Sequence, residues 1–201
     1  MPKHFSPEER REIEQKLLSA AKESFLYFGV NKTTVADITD KAGVAKGTFY
    51  LFFNSKGDIF MKLISDEWAL IHDELDRRYM DRQGDLRKII RGYIAENRRE
   101  LLGHPLFAMV YDRDAMVMIS DRTVQDKLME FKHMSDGRLV DLIRSWYAAN
   151  SIQSAVSPEV LSGMIRSTSY LNYHRDEIGE EIFDEVIRQM IEGIALVVGE
   201  S

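Results

Sequence analysis

The chain contains no cysteine. Disulfides and thiolate metal sites are therefore excluded, and a cytoplasmic setting is expected. Proline is nearly as scarce: Pro2, Pro7, Pro105 and Pro158 are the only four, each near an expected helix start, where a missing N–H costs little. No apolar run approaches the roughly 18 residues that a membrane-spanning helix needs, so no membrane partner is expected. The stretch from Met1 to Ala20 is too charged to read as a signal peptide. Strand-like alternation is missing, which disfavours an α/β enzyme. So is a glycine-rich phosphate loop. His72, His104, His133 and His174 are too scattered for a helical i, i+4 metal pair, and His4 lies in the tail. No Ser/His/Asp arrangement stands out, and Asp112/Asp114 and Glu180/Glu181 read as solvent-facing or capping acids. No metal, no cofactor and no catalytic residue is expected.

What is present is helix after helix. The 201 residues suit one or two domains with a sizeable core. Ser6-Pro7-Glu8-Glu9 is a capping box with proline at the first helical position. Ile13, Leu17, Ala20, Ala21, Phe25 and Phe28 continue that helix to Gly29. Ser55 caps a long fourth helix to about Arg82, with Ile59, Phe60, Leu63, Ile64, Trp68 and Ile71 on its inner face. Gly84, Gly103 and Ser120 then divide helices near 85–102, 105–117 and 121–149. Ser157-Pro158-Glu159 opens another, and Gly179 separates it from the last, near 180–198. The fold class is all-α, with a three-helix N-terminal domain over 1–56 and a helical domain over 57–201.

The most specific segment runs from Thr33 to Lys56. Thr34 is an N-cap, and Asp37 an acid near the positive helix end. Val35, Ile38 and Ala42 form one apolar stripe, and Gly43 ends the helix where a left-handed residue is needed. Ala45 to Leu51 is then a recognition helix with Phe49 turned inward. Ala45 and Gly47 let backbone approach a base edge or phosphate. Lys46 can reach a guanine edge or phosphate, and Thr48 and Tyr50 carry hydroxyls suited to phosphate oxygens. Lys56, at the next helix start, makes an anion site with the free amides. Two short helices around a glycine turn, with the second presented outward, are the layout of a helix-turn-helix.

The formal net charge of −6 looks unsuited to DNA, but it is unevenly spread. Residues 1–56 carry nine Lys and Arg against seven Asp and Glu; the remainder carries 18 against 26. Between Gly29 and Lys56 there are four lysines and two aspartates, so the local field can favour phosphate.

The segment TTVADITDKAGVAKGTFYLFFNSKGDIF resembles the DNA-binding signature of the tetracycline-repressor (TetR) family, over about 50 residues if the preceding helix is included. The resemblance implies an all-helical homodimer whose C-terminal domain binds a small effector and releases the operator. Thr34, Thr48, Tyr50 and Lys56 resemble the family's phosphate contacts. Lys46, with Ala45 and Gly47 beside it, stands where base contacts are usually made. Phe52 departs from the pattern, in a place where many members have His.

Beyond residue 57 the pattern carries less. The last helix has an apolar stripe too wide for one contact, including Val186, Met190, Ile194 and Val197. Leu161, Ile165 and Thr168 offer a matching face in the helix before it, and in the resembled family this pair forms a four-helix dimer bundle. Tyr93, Phe107, Tyr111, Met116, Trp146, Tyr170 and His174 are the candidate lining for a flat or greasy effector, since adaptable methionines and aromatics with polar tips suit such a cavity. The function expected is a ligand-responsive homodimeric regulator, a repressor released from a palindromic duplex operator by a small hydrophobic or aromatic molecule. An all-helical enzyme and an effector-independent DNA-binding protein are the alternatives.

Overall fold

A computed structural model describes residues 5–110, 122–153 and 156–198. The described residues are helical without strand: α1 (Pro7–Phe28), α2 (Val35–Ala42), α3 (Lys46–Phe49), α4 (Lys56–Tyr79), α5 (Leu86–Gly103), α6 (Pro105–Val110), α7 (Arg122–Ala149) and α8 (Pro158–Tyr170). A 3-10 turn over Leu171–His174 leads to a short α9 (Arg175–Ile178), and α10 (Phe183–Leu196) follows. The all-α expectation holds.

Helix ends follow the local chemistry. Ser6 and Glu9 form the reciprocal capping box, and the same device recurs at Thr34 and Asp37. Gly29 and Gly43 close α1 and α2 with φ of 79° and 68°, a region costly for any residue with a Cβ. Ser157 caps α8 and Asp85 caps α5. The ends differ in places from those expected. α4 stops at Tyr79, and Asp81 turns the chain with a φ of 54°. The recognition helix is a single α-turn, Lys46–Phe49, carried on by i→i+3 bonds from Leu51 to Thr48 and from Phe52 to Phe49. Position 105 does open a helix, but the expected extension beyond Val110 lies outside the described residues.

The chain forms two compact units, Met1–Glu67 with Pro105–Met129 and Trp68–His104 with Glu130–Ser201. In the first, Leu17, Ala21, Phe25, Ile38, Phe49 and Ile59 are fully enclosed, and Phe25 meets Phe60 edge-to-face at 5.5 Å. In the second, Leu75, Tyr79, Ile90, Tyr93, Ile94, Leu142, Ile143 and Trp146 centre the core, joined by Leu161, Ile165 and Ile194. Among the described residues no helix is long and apolar enough to cross a membrane.

Candidate nucleic-acid interface and sensor region

The interface is positioned from beneath. Phe49 is wholly buried and packs on Tyr50 and Phe53 at 5.4 and 5.7 Å, so it anchors α3 to the core. That fixes which side chains point away: Ala45, Lys46, Gly47 and Tyr50 are exposed and Thr48 is half-buried. At Gly47 an added Cβ would meet nothing within 4 Å, so nothing inside the chain requires the glycine. The turn before α3 is set by Gly43, with Val44 N–H donating to the Thr39 carbonyl at 3.0 Å in a Schellman-type closure.

Two of the expected phosphate contacts are engaged within the protein. The Thr34 hydroxyl accepts from Asp37 N–H at 3.2 Å and donates to the Asp37 carboxylate at 2.7 Å. The Thr34 hydroxyl and backbone N–H, both donating to that carboxylate, hold Asp37 below the usual carboxylate range. Lys56 requires correction as a free anion ligand. Its ammonium donates to the carbonyls of Val30, Asn31 and Thr33 at 2.6, 3.1 and 2.7 Å, which accounts for all three hydrogens. Burial lowers its pKa, with Asp37 pulling the other way. Lys56 therefore clamps the α1–α2 loop to the start of α4. Beside it, Asp58 is buried, accepts from Asn54 N–H at 2.8 Å and pairs with Lys127 of α7. Of the lysines between Gly29 and Lys56, Lys41 pairs with Glu23 at 2.8 Å. Lys32 and Lys46 make no ion pair among the described residues, so they supply the uncompensated positive field.

The described members of the expected effector lining have different surroundings. Tyr93 and Trp146 meet at 5.4 Å, but as core: Trp146 is completely buried and its indole Nε1 donates to the Tyr79 carbonyl at 2.7 Å. Burial pushes the Tyr93 hydroxyl far above the ordinary tyrosine range. Phe107 is buried in the other unit. Tyr170 is exposed beside Arg166, and His174 is exposed beside the Glu177 carboxylate at 3.0 Å. Tyr111 and Met116 lie outside the described residues.

A different cluster was missed. On α4, His72 stacks on Trp68 with ring centroids 3.8 Å apart, and its Nδ1 lies 2.9 Å from the Trp68 carbonyl. A carbonyl only accepts, so Nδ1 carries the proton in this arrangement. Phe131 of α7 meets the Trp68 ring edge-on at 5.3 Å. Arg138 lies over the same indole and bonds Asp73 and Asp76 at 2.6 and 2.5 Å. Asn97 of α5 is buried and borders the histidine. Burial pushes His72 down to about 4. The i, i+4 spacing of Trp68 and His72 was the available signal, but a lone histidine on an apolar helix face reads first as core.

The proposed self-association residues also divide. Leu161, Ile165, Thr168 and Ile194 point into the chain's own core, which corrects their expected place on a partner-facing surface. Val197 is exposed, and Val186 and Met190 are half-buried. Val160 of α8 and Leu196 of α10 are each 56 % exposed.

Residues 17–63 match the profile described as bacterial regulatory proteins, tetR family. Over that segment the chain is similar to the tetR family. Its relatives include the transcriptional regulator TtgR of Pseudomonas putida, 35 % identical over 88 residues, a match that covers 41 % of each chain. The chain thus spans about two fifths of the length of the curated relatives it matches first. Across nearly its whole length it shares the fold of two solved regulators. FadR of Bacillus subtilis, in complex with stearoyl-CoA, has a TM-score of 0.62 at 18 % identity, covering 89 % of this chain and 98 % of that one. The repressor SmeT of Stenotrophomonas maltophilia, in complex with triclosan, has a TM-score of 0.62 at 17 % identity, covering 92 % and 90 %. In this tetR-type domain, the outward edge at 45–50 falls inside the matched residues.

Proposed function

We propose that the chain is a cytoplasmic, homodimeric repressor, released from a palindromic operator by a small hydrophobic or aromatic effector. Residues 1–56 read DNA; residues 57–201 hold the effector and the dimer contact. The observation that carries the reading is the outward edge Ala45, Lys46, Gly47 and Tyr50 standing over the anchored Phe49, inside a tetR-type domain. Lys46 and its small neighbours make the base contacts, Thr48 and Tyr50 hold phosphates, and Thr34 and Lys56 set the loop that aims them. Thr34 reaches a phosphate only by exchanging its Asp37 bond.

An effector with a hydrophobic or aromatic part is supported by FadR and SmeT, the fold neighbours in complex with stearoyl-CoA, which has a long acyl chain, and with triclosan. Within this chain the Trp68–His72–Phe131 cluster fits such a molecule better than a carboxylate, because Arg138 is already neutralised by two aspartates. Val160, Leu196, Val197 and the half-buried Val186 and Met190 supply a self-complementary apolar face on α8 and α10. A dimer sets two α3 turns about 34 Å apart, one turn of duplex, and effector binding shifts the population away from that spacing.

The test is selection of genomic fragments with the purified protein at physiological salt, then footprinting. Two protected half-sites in inverted repeat support the reading. No enrichment over random duplex, with or without effector-sized apolar compounds, sinks it and favours the alternatives of an enzyme or an unspecific binder.

A further inference from the structure

We propose that Arg10, on the first helix, is an additional DNA-backbone contact held on an aromatic platform at the end of the recognition turn. The inference rests on the operator-binding reading above. Arg10 is exposed on α1, and its guanidinium carbon lies 4.8 Å from the centroid of the Phe52 ring. Its Nη2 donates to the Leu51 carbonyl at 3.4 Å, across 41 residues of chain. Leu51 directly follows Tyr50, so the cation sits beside the side chain proposed to hold a phosphate.

The arrangement differs from an ordinary surface arginine. α1 is rich in acids, yet none pairs with Arg10 among the described residues. Glu9 is bonded to the Ser6 N–H at 2.7 Å in the capping box, and Glu12 pairs with Lys16 at 2.7 Å. Phe52 has no polar atom of its own to offer a phosphate. What it offers is a face, and a cation over that face is attracted by the ring quadrupole and loses rotamer freedom before any ligand arrives. Arginine has five N–H donors in one plane. One goes to Leu51, whose carbonyl ends the helical turn and attracts positive charge. The others remain for a phosphate, which a guanidinium can bind through two parallel N–H bonds. The cation is thus supplied from a different helix and pre-oriented by the segment that reads the bases.

The experiment measures binding by fluorescence anisotropy over a potassium chloride series. The probes are a fragment enriched by the wild-type protein and a random duplex of equal length. Arg10→Ala is expected to weaken binding to both by roughly tenfold at physiological salt and to reduce the log–log salt slope by about 0.9 for each phosphate that is no longer neutralised. Arg10→Lys keeps the slope while losing part of the affinity. Phe52→Leu keeps the charge but removes the platform, and is expected to cost about threefold with the slope intact. Melting temperature is followed for every variant. An Arg10→Ala protein with the wild-type slope overturns the proposal, whether its affinity is unchanged or falls together with its melting temperature; Arg10 then only ties α1 to Leu51. If the wild-type protein enriches no DNA, the operator reading itself fails and this one with it, an outcome distinct from the first.

Discussion

The two compact units keep their distinctive chemistry in opposite places. In the first, the side chains proposed to meet DNA stand outside the core, Lys46, Tyr50 and Arg10 in solvent and Gly47 with open space around it, while the buried Asp58 is ion-paired with Lys127. In the second, the distinctive groups are inside. His72, Asn97 and Trp146 are buried, and the surface is a lattice of ordinary ion pairs. A surface that must meet a large, rigid, charged partner needs only a firm base and outward donors. A region proposed to sense a small apolar molecule keeps polar groups where water does not compete, which costs stability unless each is satisfied.

Four substitutions test this contrast. Trp146→Ala should have the largest effect, about 3–5 kcal/mol of stability, because it empties a completely buried site and removes the indole donor to the Tyr79 carbonyl. Denaturant unfolding reads it, and a loss below about 1 kcal/mol would mean the second unit is looser than its packing indicates.

His72 gives a pH signature. The unfolded imidazole takes a proton near 6.5, the buried one only near 4. The unfolded state therefore binds more protons between those values, so stability is complete above about pH 6.5 and falls as pH drops toward 4. The total is on the order of 3 kcal/mol. His72→Gln should flatten that part of the stability–pH curve. A curve of the same shape would assign the acid loss to other groups.

Lys56→Met should cost about 2 kcal/mol by releasing three carbonyls. Operator affinity should fall with little change in salt slope, because the ammonium is a clamp. A slope reduced by the full amount of one phosphate contact would restore Lys56 as a direct ligand.

Gly47→Ala should have the smallest effect on stability and the most selective effect on binding. With nothing within 4 Å of the new methyl and a better helix former in place, stability should hold or rise by up to about 1 kcal/mol. Operator affinity should still drop roughly tenfold or more by anisotropy, because the added methyl stands between backbone and duplex. Unchanged affinity would show that the backbone at 47 does not come close to DNA.

These contrasts follow how far each feature reaches along the chain. The caps at Ser6, Thr34 and Ser157 and the turns at Gly29 and Gly43 were legible because each is completed within a few residues. The outward edge at 45–50 was legible for the same reason: once Phe49 is inside, the helical period decides its neighbours. The role of Lys56 was not, because its three acceptors lie 23 to 26 residues away. Nor was the division of the α8 and α10 stripes. Leu161 and Val160 are both apolar, and only the packing of α5 and α7 decides which is core and which is face.

The sequence alone determined an all-helical chain, with helix ends written in caps and glycines and a turn, proposed to read DNA, held outward over Phe49. Hydrogen bonds and periodicities over a few residues specify such features without help from the rest of the molecule. Tertiary structure alone decided that Lys56 is a clamp, that Tyr93 and Trp146 are core, that Trp68, His72, Asn97 and Arg138 meet, and that Arg10 lies over Phe52. Each of these joins residues distant in the chain, and burial, which sets both pKa and partner, is a property of the packed whole.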